Sequence, residues 1–273
     1  MLETIRNIRW RIVGYACLGI IALIGLAMLM SLVKKKDAAQ LCSSMKVMVE
    51  GKETFIDQHD ISNLIKAEFG KVVGRPLQEI PVERIEKTLT KLPYVSSAEI
   101  YMDMDGVLQV SVQQREVVLR IINKHGQEYY IDTKGAKIPV TLKYVPHVLV
   151  ANGNITEGYR KPLDTIQTQL LHDLVSIVDY VRNDELWENQ IVQLYVNEQQ
   201  DIEIVPRVGT QQIVLGTAGN LAGKLDRIAV FYTHILPRVG VDAYEKINVK
   251  FDDQIICERK GTWRIDSLQL KMN

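Results

Sequence analysis

The chain has 273 residues, with 33 basic and 33 acidic side chains, so it is too long for one small domain and carries no net charge. That balance excludes a binder driven by phosphate neutralisation, and an apolar fraction of 47% excludes a disordered chain. Three cysteines are too few for a disulfide framework.

The first feature in chain order is Ile12 to Val33, 22 residues without a charged side chain. A helix of that length spans roughly 30 Å of hydrocarbon, whereas a buried core helix would show a polar face. A cleaved signal peptide is the competing interpretation. Its apolar region runs to about 7–15 residues before a small-x-small site, and here the run is longer and meets Lys34-Lys35-Lys36. Trp10 and Tyr15 stand where interfacial aromatics belong. We therefore expect a short tail over 1–11, an uncleaved transmembrane helix over 12–33 and a linker over 34–42. Charge does not orient the span, because Arg6, Arg9 and Arg11 precede it and three lysines follow it.

The next segment predicts strand, helix, helix, strand, strand over 43–117. Met45 to Val49 reads as a strand and Asp57 as the N-cap of a helix that buries Ile61, Leu64, Ile65 and Phe69 and ends at Gly70. Pro81-Val82-Glu83 opens a second helix, striped by Ile85, Leu89 and Leu92 and stopped by Pro93. Ala98 to Met102 alternates as a strand, Asp103-Met104-Asp105-Gly106 supplies a hairpin turn, and Leu108, Val110 and Val112 line the return strand. Leu92, Pro93, Val95, Ala98, Ile100, Leu108, Val110, Val112, Gln114, Arg115 and Val117 together resemble the end of a POTRA domain, that of the FtsQ/DivIB cell-division proteins in their Bacteroidetes-like form. Glu116 stands where many relatives carry proline.

The resemblance continues over 118–260. Asn123, Gly126, Tyr130, Asp132 and Gly135 resemble a family passage set on strand Val118–Ile122, a turn, and strand Tyr129–Asp132. Val148–Val150 predicts a short buried strand, and Leu163–Arg182 an amphipathic helix with Ile166, Leu170, Leu174, Ile177 and Val181 along one side. A helical turn at Glu185–Trp187 and strands at 191–196, 202–205 and 211–215 follow. Leu221–Leu236 predicts a second helix closed by Pro237, and strands Tyr244–Phe251 and Gln254–Glu258 meet across Asp252-Asp253. The expected fold class is α+β: one N-terminal transmembrane helix, a POTRA domain, then a mixed-sheet β-domain with two helices, and a tail over 261–273.

Catalytic and metal motifs are weak. His59, His125, His147, His172 and His234 are scattered without a metal spacing. Asp103-x-Asp105-Gly106 lacks the remaining ligands of a calcium loop. Ala218 to Lys224 follows the outline of a phosphate-binding loop, but Leu225 occupies the position that needs a hydroxyl, and a loop-to-helix junction with Asn220 as N-cap fits as well. There is no Gly-x-Ser-x-Gly elbow. No cofactor, metal, nucleic acid or small-molecule substrate is expected, and no enzymatic activity.

The resemblance implies a bitopic scaffold of the bacterial inner membrane. The bulk of the chain would lie in the periplasm at the division septum, holding partners of the FtsB–FtsL type. The POTRA domain would bind polypeptide by strand addition. On that side of the membrane Cys42 and Cys257 would pair as a disulfide if the fold brought them together. The family's partner surface falls here on Asn248, Lys250 and Phe251, then Gln254, Ile255, Ile256 and Glu258, with Lys250 and Phe251 where relatives often carry arginine and tyrosine. Phe251 and Ile255 fit either that surface or the core. The competing class is a POTRA docking arm of a polypeptide-translocation or outer-membrane assembly system, which usually carries several such units and a barrel.

Overall fold

The computed structural model describes residue 15 and residues 18–28, 41–241 and 243–261. The expected tail over 1–11, most of the linker over 34–42 and nearly all of the tail over 261–273 lie outside the described residues. The expected span over 12–33 does so in part. Residues 18–28 are helical with exposed apolar side chains. Among the described residues no helix is long and apolar enough to cross a membrane.

The described chain forms two compact units. The first holds the residues up to Glu50 together with Ile56–Gln113; the second holds Gly51–Phe55 and the residues from Gln114 onward. In the first, β1 (Ser44–Glu50), α1 (Gln58–Phe69), α2 (Val82–Leu89), β2 (Val95–Met102) and β3 (Val107–Gln114) give a three-stranded sheet ordered β1-β3-β2, with β1 parallel to β3. Asp57 caps α1 in a reciprocal capping box, its carboxylate accepting from the Asp60 N–H at 2.8 Å while the Asp60 carboxylate accepts from the Asp57 N–H at 2.9 Å. The amphipathic stripes meet the sheet as their spacing requires. Ile61, Ile65, Ile85 and Leu89 are buried against Leu108, Val110 and Val112, while Leu64, Phe69 and Leu92 pack half-buried around them. Helix α2 ends at Leu89, ahead of Pro93.

The second unit contains β4 (Val117–Ile122), β5 (Glu128–Asp132), β6 (Lys137–Pro139), β7 (Leu149–Gly153), α3 (Gln169–Arg182), α4 (Glu185–Gln190), β8 (Ile191–Val196), β9 (Ile202–Pro206), β10 (Gln212–Gly216), α5 (Leu221–Val230), a π-helical turn (Phe231–Ile235), α6 (Leu236–Val239), β11 (Tyr244–Asn248) and β12 (Ile256–Arg259). The nine strands form one mixed sheet ordered β12-β11-β10-β9-β8-β7-β4-β5-β6. One row of paired residues crosses it as Cys257, Ile247, Ile213, Ile204, Leu194, Ala151, Ile121 and Tyr129. All of these join the core under α3, α4 and α5. The neighbouring row, Ile256, Asn248, Val214, Glu203, Tyr195 and Asn152, points to the other face, because strand side chains alternate.

Several sequence expectations shift. The helix expected from Leu163 begins at Gln169, because Leu163 sits in the left-handed region (φ 61°) and 163–166 runs along β6 instead. There the Lys137 N–H reaches the Asp164 carbonyl and the Leu163 N–H reaches the Lys137 carbonyl. Residues Ala136 and Thr165 bridge beside them. Ile166 is still buried, and α3 buries Leu171, Leu174, Ile177, Val178 and Val181. In the expected strand at 148–150, Val148, Leu149 and Val150 are only half-buried, and Ala151 is the buried residue.

Pro237 does not close the second helix. The backbone widens into the π turn, the Leu236 N–H reaches the Phe231 carbonyl, and the proline, which has no N–H to offer, passes inside α6. Between α4 and this turn lies an apolar cavity of about 200 Å³ bordered by Trp187, Ile204, Ile213 and Tyr232. The Tyr232 hydroxyl is buried without a hydrogen-bond partner among the described residues, and burial pushes its pKa up to about 12.

Candidate functional site

Local chemistry first fixes the start of the second unit. Asn123 accepts from the His125 and Gln127 N–H groups at 3.0 and 2.9 Å, and Asp132 from those of Lys134 and Ala136 at 2.9 and 2.8 Å. Gly126 and Gly135 complete the two turns with φ of 77° and 76°. The Arg115 guanidinium lies 2.7 Å from the Asp132 carboxylate, and the Gln114 amide donates to the Glu53 carbonyl at 2.7 Å. The passage that resembles the family is therefore turn chemistry, with the Arg115–Asp132 pair beside it.

A buried ion pair follows that no sequence pattern announced. Lys137 and Glu157, 2.7 Å apart, have side chains only 2% and 9% exposed. Lys137 also donates to the Gly158 carbonyl, and Glu157 accepts from the Gln167 and Thr168 N–H groups and the Thr168 hydroxyl. Burial pushes the Glu157 pKa up, but these hydrogen bonds outweigh it and hold the carboxylate below the ordinary glutamate range.

The far edge of the sheet carries the expected partner residues. The ladder between β11 and β12 ends at Asn248↔Ile256, so both strands are shorter than the expected Tyr244–Phe251 and Gln254–Glu258. The cause is local: the Asn248 side-chain oxygen takes the Lys250 N–H at 2.9 Å, and the Val249 N–H goes to Val214. Lys250, Phe251, Gln254 and Ile255 therefore lie in the connection, where Asp253 adopts φ 56°. Ile255 and Cys257 pack against the core, while Phe251 and Ile256 are 46% and 43% exposed and Glu258 is exposed beside Lys246. Lys250 crosses Gly216 (φ 79°), where an added Cβ would meet the lysine stem at 2.8 Å, and its ammonium lies 2.7 Å from Asp201.

Helix α5 closes the connection from below. Arg227 donates to the carbonyls of Val249 and Phe251, and the Asn220 amide reaches Asp252 at 3.4 Å. Asn220 is the N-cap residue of α5 as expected, but in the left-handed region (φ 49°) and with no side-chain capping bond. Lys224 turns its buried ammonium onto the Thr217 carbonyl at 2.8 Å, closing on itself the segment that outlines a phosphate loop. Burial lowers the Lys224 pKa, and Asp252 acts against that shift. Asp201, Gly216 and Arg227 were not legible as site residues, since each meets the connection from a distant part of the sequence. Among the described residues Cys42 and Cys257 are not joined and each carries a free thiol. Among the described residues no group of three or more His, Cys, Asp or Glu side chains is placed to hold a metal ion.

The two edges of the nine-stranded sheet differ. Segment 163–166 covers β6, and Pro139 there has no N–H to donate. Strand β12 has a strand neighbour on one side only among the described residues. A three-stranded α+β unit followed by a helix-backed sheet with an open last strand is an arrangement suited to docking polypeptide. Comparison with family models resolves this further: a POTRA-like domain model matches residues 40–113, and the FtsQ/DivIB, C-terminal related model matches residues 116–258. The chain belongs to the FtsQ/DivIB family. Membership implies a cell-division role of the non-enzymatic, scaffolding kind. A search of curated proteins returned no match.

Proposed function

We propose that the chain is a bitopic division scaffold that holds a partner of the FtsB–FtsL type by strand addition along β12. The observation that carries this is the β12 edge, open among the described residues and flanked by half-exposed Phe251 and Ile256 on a sheet whose opposite edge is covered. An extended partner strand would pair with the outward N–H and C=O groups of β12 over Ile256–Glu258, and its side chains would cover Ile256 on one face and Phe251 at the turn. The apolar stretch over 12–33 supplies the inner-membrane anchor, with the two units in the periplasm at the septum and the POTRA-like unit free to engage further division proteins.

The test is a pull-down of the full-length protein from gently solubilised native membranes, with the bound proteins identified by mass spectrometry. Small single-span coiled-coil proteins, lost when Ile256 is replaced by lysine, support the scaffold. An outer-membrane barrel or its lipoproteins in their place would favour a translocation arm and overturn it.

A further inference from the structure

The connection that launches β12 is fixed from outside its own two strands. Arg227, on α5, directs Nη2 at the carbonyl oxygens of Val249 (3.1 Å) and Phe251 (3.3 Å). Those two carbonyls bracket Lys250, whose ammonium is tied to Asp201 in the turn between β8 and β9. Asp252, next in line, accepts from Asn220 at the head of α5. Strand pairing does little here, because the β11–β12 ladder stops at Asn248↔Ile256. The bond from the Val249 N–H to Val214 is the last backbone tie to β10.

A guanidinium suits this task, since it stays charged and donates from a rigid planar fork, so one side chain serves two carbonyls at once. It also spares both carbonyls the cost of partial burial without a donor. We propose that Arg227 is the positioning residue of the β12 edge. It meets no partner itself; it sets the path on which Phe251 is presented and the register in which β12 joins the sheet. The inference rests on the assignment of β12 as the docking edge. It names the part of the domain, α5, through which that edge is preorganised.

The experiment is amide hydrogen exchange on the purified full-length chain, comparing wild type, Arg227→Met and Arg227→Lys, with capture of the single-span partner measured in parallel. Arg227→Met keeps the packing of the stem and deletes the fork. Exchange at those amides of Ile256–Glu258 that bond to β11 should quicken about tenfold, the equivalent of one charge-assisted hydrogen bond, while β8 and β9 keep their protection. Arg227→Lys restores one of the two contacts and should fall between, and partner capture should weaken in the same order. Faster exchange spread evenly over the second unit, or none at Ile256–Glu258, overturns the proposal. A loosened edge with wild-type capture supports the clamp and overturns the docking role of β12, so the two failures are distinguishable.

Discussion

Replacing Phe251 with aspartate separates the docking edge from the fold that supports it. The ring is 46% exposed and belongs to no core cluster of the second unit. With roughly 200 Å² for a whole phenylalanine side chain, roughly 90 Å² remains for a partner to cover. At ~25 cal/mol per Å², covering it contributes ~2 kcal/mol, or about 30-fold in affinity. A carboxylate at the same place must also be desolvated, so the loss should exceed that factor. The fold should barely respond: the carbonyl that Arg227 holds is backbone and stays in place, and a half-exposed position typically changes stability by about 0.5 kcal/mol or less. The assay pairs titration of the partner complex with urea unfolding. Leu142→Asp, at a fully exposed residue of the same unit, is the control and should leave both unchanged. Wild-type affinity in Phe251→Asp, or a loss of affinity matched by unfolding, would refute the assignment.

Breaking the buried pair with Glu157→Gln should cost about 3 kcal/mol in urea unfolding, because the buried Lys137 ammonium loses its counter-charge and keeps neutral partners such as the Gly158 carbonyl and the Tyr129 ring. Lys137→Met should cost less, since Glu157 keeps three donors, and the double variant should cost less than the sum. With its folded pKa depressed, Glu157 adds stability that is present above the unfolded pKa and is lost as pH falls through the folded one. Wild-type urea midpoints should hold above about pH 5 and decline from about pH 4 downward, and Glu157→Gln should flatten that decline. Tyr232→Phe removes a buried hydroxyl that has no partner among the described residues, so it should stabilise the second unit by about 1 kcal/mol in thermal unfolding; a loss of stability there would show that the hydroxyl is satisfied.

What could be read from the sequence was local. Asp57 as the N-cap of α1, Asp103–Gly106 between alternating strands, and the stripe of Ile85 and Leu89 each fold within one turn or one strand of themselves, so their spacing states their structure. The expected helix at Leu163 failed because 163–166 is recruited to cover β6, a tertiary demand that no helical period reveals. Pro237 misled for a related reason: a widened turn upstream absorbs the missing N–H, and the helix runs on to Gly240. At the candidate site Tyr244–Phe251 and Gln254–Glu258 were legible as the last pair of strands, though 249–255 forms the connection between them. Its supports were not, because Asp201 is 49 residues from Lys250 and Arg227 is 22 and 24 residues from the two carbonyls it holds.

The unequal ends of the nine-stranded sheet bear on stoichiometry. Open at both margins, such a sheet would serve as a template in two directions, and copies of the chain could stack margin to margin into ribbons. With 163–166 laid along β6 and Pro139 within it, growth from that margin is blocked. Only the β12 margin of this sheet remains among the described residues, so under the proposed docking role the sheet offers one place for an added strand. A division apparatus built on such a part would count its partners through the number of scaffold copies at the septum, and adding more partner would saturate the scaffold without polymerising it.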